Sequence, residues 1–124
     1  FLRANPNMGS VFLSYDALGL GLKTAVANVG GKMPKTYSWA PDEPGVQALQ
    51  SGERTASVPL GYNETAWQWA DGFARIFTGR DVRESQKWAG FVLWSKDYGN
   101  VPDEAKNPPY IPDYQEQFKE LWGV

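Results

Sequence analysis

The chain alternates short apolar runs with segments of helical periodicity, and this alternation limits the folds open to it. Each apolar run has the length of one strand, and a helical pattern follows it within a few residues. The connections are too long for hairpins, so consecutive strands must run parallel with helices crossing between them. The predicted strands cover 11–15, 35–39 and 55–60, and the predicted helices cover 17–29, part of 40–52, and 64–78. The sequence therefore predicts an α/β fold, a three-layer Rossmann-like lobe around a parallel sheet with right-handed crossovers.

Glycines and capping residues mark the ends of these helices. Gly30, Gly52 and Gly79 each stand just past a helical pattern, where a left-handed residue is favoured. Asn63 is predicted to cap the third helix, and we interpret its match to a glycosylation sequon as capping alone.

The longest predicted helix carries one apolar stripe. Trp69, Phe73 and Phe77 repeat at helical spacing, which predicts that this side faces the core. Trp67 is two residues from Trp69 and points elsewhere, so we expect Trp67 to be exposed or at a lobe edge.

The chain changes character after residue 79. One further strand is predicted over 88–94, followed by a proline-rich polar loop at 95–112 and a final helix over 113–124. Asp113 and Glu116 have the spacing of a capping box at its start. Its apolar face combines three aromatic residues with a leucine: Tyr114, Phe118, Leu121 and Trp122.

Composition removes several classes of function. The 124 residues include no cysteine and no histidine, so thiolate nucleophiles, sulfur-ligated metals and histidine bases are excluded. A net charge of −2 with scattered basic residues offers no footprint for a nucleic-acid backbone. No window has the ~20 apolar residues of a membrane span, and no signal peptide is visible. The opening FLRANP looks like the last turn of a helix, so we expect a processed or truncated fragment.

The glycines of ALGLGLK suggest a dinucleotide-binding turn, but their spacing does not fit one. Thr24 stands where the third small residue is required, and Gly19 and Gly21 are predicted to lie inside the helix. Close packing of the helix against the sheet is the better interpretation.

The predicted ends of the first two strands carry the candidate binding residues. Open parallel sheets bind ligands beyond the carboxyl ends of their strands, where Asp16, Trp39, Asp42 and Glu43 are placed. A carboxylate beside an aromatic ring suits a neutral polyol, since the acid accepts hydroxyl hydrogens and the ring packs on C–H groups. Equally, Asp16 could be a helix cap, Trp39 a core ring, and the two other acids solvated residues opening a helix.

Two stretches carry a family likeness. LRANPNMGSVFLSYDALGLGLKTAVANVG resembles the segment of type I periplasmic sugar-binding proteins where a proline turn, a strand and an aspartate precede an Ala-Leu-Gly helix. PDYQEQFKELWG resembles the C-terminal helix of many sugar-binding proteins of ABC transporters. The resemblance implies two Rossmann-like lobes joined by a hinge that the chain crosses three times. This chain would then hold the C-terminal part, with most of the second lobe at 1–80 and the return crossing, loop and final helix near the hinge at 81–124.

The resemblance also implies roles for single residues. Asp16 matches the family's aspartate that hydrogen-bonds the sugar from the second lobe. The family's next acid falls at Ala40 here, so either Asp42 substitutes for it or Trp39 provides a ring contact. Tyr15 stands where a smaller amide is frequent, and its ring would face the cleft or pack inside the lobe.

These expectations describe a binding protein and no enzyme. Hinge closure on a monosaccharide or polyol, with no cofactor and no metal, would be recognised by an ABC permease in the membrane. The protein would be periplasmic, exported or a membrane-associated lipoprotein of a bacterium, and without its N-terminal lobe the fragment is expected to favour a homodimer. One alternative is the effector domain of a LacI-type transcription regulator, which has the same lobes. Another is a carbohydrate-active enzyme, which would need Asp16 and Asp42 to face each other across a substrate.

Overall fold

The computed structural model describes residues 2–86, 91–106 and 111–124. Contacts divide the chain into two compact units. The first combines Phe1–Pro59 with Val92–Asn107, and the second combines Leu60–Phe91 with Pro108–Val124. The predicted division into most of a lobe at 1–80 and a hinge-side segment at 81–124 refers to a larger two-lobe protein, and it stays a prediction.

The first unit is built on a small parallel sheet, as the alternating pattern predicts. Its strands are β1 (Ser10–Leu13), β2 (Lys35–Trp39) and β3 (Ala56–Val58), in the order β1-β2-β3. Both pairings are parallel, with Leu13 opposite Ser38 and Trp39 opposite Val58. The chain thus has an α/β fold with a three-stranded parallel sheet.

The predicted continuous helix over 17–29 is wrong, because a glycine interrupts it. A short 3-10 turn covers Asp16–Gly19, and helix α1 covers only Leu22–Asn28. Between them Gly21 has a φ of +76°, a left-handed conformation that glycine adopts at little cost. Gly19 and Gly21 therefore lie outside α1. The predicted stop at Gly30 is confirmed by its φ of +67°.

Helix α2 (Glu43–Ser51) connects β2 to β3 and lies within the predicted segment 40–52. Asp42 is its N-cap, and Asp42 Oδ1 accepts a hydrogen bond from the Gly45 amide at 3.1 Å. Gly52 ends it in the left-handed conformation. Its buried face, Val46 and Leu49, forms a core cluster with Trp94.

Trp94 reaches this core by pairing with the free edge of β3. Its backbone exchanges hydrogen bonds with Ser57 at 2.8 and 2.9 Å in an antiparallel bridge. The strand predicted over 88–94 is wrong where the structure describes it, since 91–93 are not in a strand and only Trp94 pairs; residues 88–90 lie outside the described part. Within 95–106, the following loop forms a 3-10 turn at Lys96–Tyr98, and Gln50 Nε2 of α2 donates to the Pro102 carbonyl at 2.7 Å.

The described residues of the second unit form α3 (Tyr62–Phe77), a 3-10 turn at Val82–Gln86, and α4 (Tyr114–Trp122). Helix α3 begins two residues earlier than predicted with Gly61 as its N-cap, so the predicted cap at Asn63 is wrong. The capping box predicted for α4 does not form, because Asp113 makes no side-chain cap bond and instead accepts from Gln117 Nε2 at 3.1 Å.

The prediction that the Trp69 side of α3 faces the core is wrong, and Trp67 is half-buried. Trp67 stacks on Trp122 with ring centroids 5.4 Å apart and planes 2° apart, whereas Trp69 is exposed. A buried polar anchor accompanies the stack, since Asp71 accepts from Trp122 Nε1 at 3.0 Å and from Arg75 Nε at 2.7 Å. Helix α4 thus covers the side of α3 that carries Trp67 and Asp71.

Candidate functional site

Two exposed aromatic rings stand at the carboxyl edge of the sheet. Trp39 is the last residue of β2, and Tyr15 follows β1 by two positions. Because Leu13 lies opposite Ser38 in parallel register, both rings leave the sheet at the same edge. Tyr15 is 45% exposed and Trp39 is 40% exposed, so neither ring is a core ring.

Asp16, next to Tyr15, is enclosed rather than open to solvent. It is 2% exposed, and its Oδ1 accepts a hydrogen bond of 2.6 Å from Ser38 Oγ. Arg54 Nε lies 3.1 Å from the same oxygen as a buried ion pair. That Nε makes no hydrogen bond to any described residue, because its N–H does not point along the short contact; Arg54 Nη2 instead donates to the Asp16 carbonyl at 3.4 Å.

The interpretation of Asp16 as a helix cap is wrong, because Asp16 begins the 3-10 turn and no side-chain cap bond forms there. A contact between Asp16 and a ligand stays a prediction. In the structure, the carboxylate already holds a buried cation and a hydroxyl.

Two serines extend this ion pair across the sheet. Ser38 Oγ lies 2.9 Å from Ser57 Oγ, and Ser57 Oγ donates to the Ser38 carbonyl at 3.1 Å. Each hydroxyl carries one proton, so the Ser38 proton serves the Asp16 carboxylate, the stronger acceptor. The covered face of β2 and β3 is thereby polar where an apolar core is usual.

Arg54 is the site residue that sequence reasoning missed. It stands in the polar stretch SGERT, where a charge is normally solvated, and it lies 38 residues from its partner. Two glycines are indirect sequence signals of the Asp16–Arg54 ion pair, because their lack of a side chain leaves space for it. A Cβ at Gly19 would lie 2.7 Å from Arg54 Nη1, and a Cβ at Gly45 would lie 2.7 Å from Asp16 Cγ. Gly19 is closely packed, as predicted, but it lies in a 3-10 turn against Arg54 and Leu13; the packing role predicted for Gly21 is wrong, because a Cβ there would meet no atom of the described residues within 4 Å.

A cavity of about 350 Å³ adjoins the ion pair. Asp16 and Arg54 line it together with the Gly19–Leu22 segment and residues of α2. Tyr15, Trp39 and Asp42 are not among its lining residues. The four predicted site residues are therefore divided, with Asp16 at the cavity, two rings at the sheet edge, and Asp42 half-buried as the cap of α2.

Across 2–86, 91–106 and 111–124, no group of three acidic, histidine or cysteine side chains is placed to hold a metal ion. None of the helices in those ranges combines the length and apolar character of a membrane span. Comparison with protein-family models, curated proteins and solved structures found no match to the chain.

Proposed function

We propose that this chain is the C-terminal, Rossmann-like lobe of a sugar-binding protein that serves an ABC importer. The observation that carries the proposal is the pair of exposed rings, Tyr15 and Trp39, at the carboxyl edge of a parallel sheet. Ligands of such sheets bind at this edge, and aromatic rings pack on the C–H faces of sugars. Solvent exposure of two rings there has a cost that contact with a ligand would offset.

The polar half of the proposed site comes from acidic residues close to the rings in the chain. Asp42 is half-buried three positions after Trp39 and would accept a sugar hydroxyl while it caps α2. Asp16 is a positioning residue in this proposal, since its bonds to Ser38 and Arg54 hold the end of β1 against β2. Both carboxylates already have structural partners, which favours binding over glycosidic hydrolysis, where one acid must be held protonated and the other must face it.

The mechanism is hinge closure. A second lobe, absent from this chain, would cover the other side of the sugar, and the closed form would be the one recognised by a membrane permease. A single lobe offers only part of the contacts, so we expect millimolar dissociation constants, about 4 kcal/mol of binding free energy.

The experiment is a titration of the ¹⁵N-labelled chain with pentoses, hexoses and polyols. The six tryptophans give six indole N–H resonances, so the resonance that shifts shows which tryptophan contacts the sugar. We expect the Trp39 resonance to shift with at least one sugar, and Trp39→Ala and Tyr15→Ala each to weaken binding about tenfold.

Trp69→Ala is the matched control, because it removes another exposed indole from the second unit. The proposal fails if no sugar shifts any indole resonance at 100 mM ligand, about a hundred times the dissociation constant expected. Equal weakening by Trp69→Ala and Trp39→Ala would also overturn it.

A further inference from the structure

Helix α3 exposes an apolar stripe on the side that α4 leaves open. The stripe consists of Trp69, Phe73, Ile76 and Phe77, whose exposed fractions lie between 59% and 85%. These positions repeat at i, i+4, i+7 and i+8, which places them on one continuous face. Exposed patches of this kind mark interaction sites in soluble proteins.

A groove lies along the same stripe. Gln68, Gly72, Val82 and Ser85 line it together with three stripe residues, and its volume is about 380 Å³. Gly72 lets the Val82–Gln86 turn approach, since a Cβ there would lie 3.3 Å from Ser85 Oγ. The groove is centred near residue 72, and the Phe77 ring stands 85% exposed about one helical turn beyond it.

Because α3 carries both the groove and the exposed Phe77 ring, two copies of the helix can pair about a two-fold axis. If two α3 helices run antiparallel about an axis between residues 73 and 77, each Phe77 reaches the groove of the other copy. Such a contact is the same on both sides and closes on itself, so it produces a dimer and no fibre.

The exposed area is also sufficient. Three aromatic side chains and one isoleucine at these exposures present on the order of 500 Å². Complete burial of both stripes would cover on the order of 1,000 Å², the lower limit for a specific interface. We propose that the chain forms a homodimer through the antiparallel pairing of its α3 stripes, with each Phe77 seated in the groove of the partner. This dimer goes beyond the proposed sugar binding and needs no ligand.

The first test is sedimentation velocity on the whole chain between 1 and 200 µM, without sugar. We expect a monomer–dimer equilibrium, and Phe77→Ser should weaken it by more than about tenfold because a two-fold interface loses the ring twice. Phe12→Ser is the control, since Phe12 is a 71% exposed ring on β1 in the other unit. A chain that stays monomeric at 200 µM overturns the proposal, as does a dimer that Phe12→Ser weakens and Phe77→Ser does not.

The second test reports geometry and uses the absence of native cysteine. Ile76→Cys places a thiol close to the two-fold axis and should form a disulfide dimer on mild oxidation. Ala66→Cys, also exposed on α3, should not, because its two copies would stand roughly 27 Å apart along the antiparallel helices. Cross-linking through Ala66→Cys, or its absence with Ile76→Cys, contradicts the antiparallel arrangement. Circular dichroism of each variant checks that the helices remain intact.

Discussion

Replacing Asp16 by alanine separates a structural role for this carboxylate from a role in ligand binding alone. The substitution leaves the Arg54 guanidinium buried, with its anionic partner removed and the Ser38 hydroxyl without its acceptor. Removing one partner of a buried ion pair typically costs 3–5 kcal/mol, so about 4 kcal/mol of unfolding free energy should be lost from the first unit. If Asp16 served only to bind a ligand, Asp16→Ala would leave the unfolding free energy of the ligand-free protein unchanged.

The same structure supplies a matched control. Lys23 and Glu53 form an ion pair in the same unit at 3.1 Å, the distance found between Arg54 Nε and Asp16, but both side chains are exposed. Glu53→Gln should therefore cost less than about 1 kcal/mol. Burial is the main difference between the two pairs, so the contrast measures what burial adds.

The assay is native-state hydrogen exchange of the β2 amides, which reports the first unit without assuming that both units unfold together. A double-mutant cycle adds Arg54→Met, a change that keeps most of the volume of the side chain. Asp16→Ala and Arg54→Met together should cost at least about 2 kcal/mol less than the sum of the two single changes, because the double variant leaves no unpaired buried charge. Additive costs, or a loss below about 1 kcal/mol for Asp16→Ala, would refute the structural role.

Three further outcomes are expected. Gly45→Ala should destabilise the first unit by about 2 kcal/mol in urea unfolding, because the added methyl overlaps the buried carboxylate of the ion pair; an unchanged midpoint would contradict this packing. Trp122→Phe should cost about 1–3 kcal/mol in the same assay, since it removes a donor from buried Asp71 while the stacked ring remains; Trp122→Ala should cost more. The Arg83 hydrogen bond lowers the pKa of Asp81 below its usual 3.8, so the pair stabilises the fold above the unfolded pKa and this contribution is lost as the pH falls through the lowered value. A carboxyl NMR titration should give a midpoint below 3.8 that rises toward it in Arg83→Gln; identical midpoints would contradict the assignment.

The predictions that succeeded rest on interactions between residues close in the chain. Strand β2 matches its predicted limits because its five residues alternate in burial between turn signals. Helix α2 lies in the segment predicted for it because Asp42 and Gly52, which directly flank the helix, cap its two ends. Parallel pairing followed from the length of the connections alone, since a helix between two strands leaves no room for a hairpin.

One prediction at short range failed because of a glycine. The apolar pattern over 17–29 has helical periodicity, but Gly21 adopts a positive φ and divides the segment into a 3-10 turn and α1. Periodicity describes which side chains share a face. It does not register a single backbone residue that leaves the helical region.

Sequence alone determined the alternation of parallel strands with helices and the positions of the glycine stops, and it left open whether the Tyr15 and Trp39 rings are exposed. Tertiary structure decided that Asp16 meets Arg54, and that Trp67 rather than Trp69 is covered. Both outcomes depend on partners 38 to 55 residues away, Arg54 for Asp16 and Trp122 for Trp67. A helix with apolar residues on two sides can bury either one, and the neighbour that packs against it makes the choice.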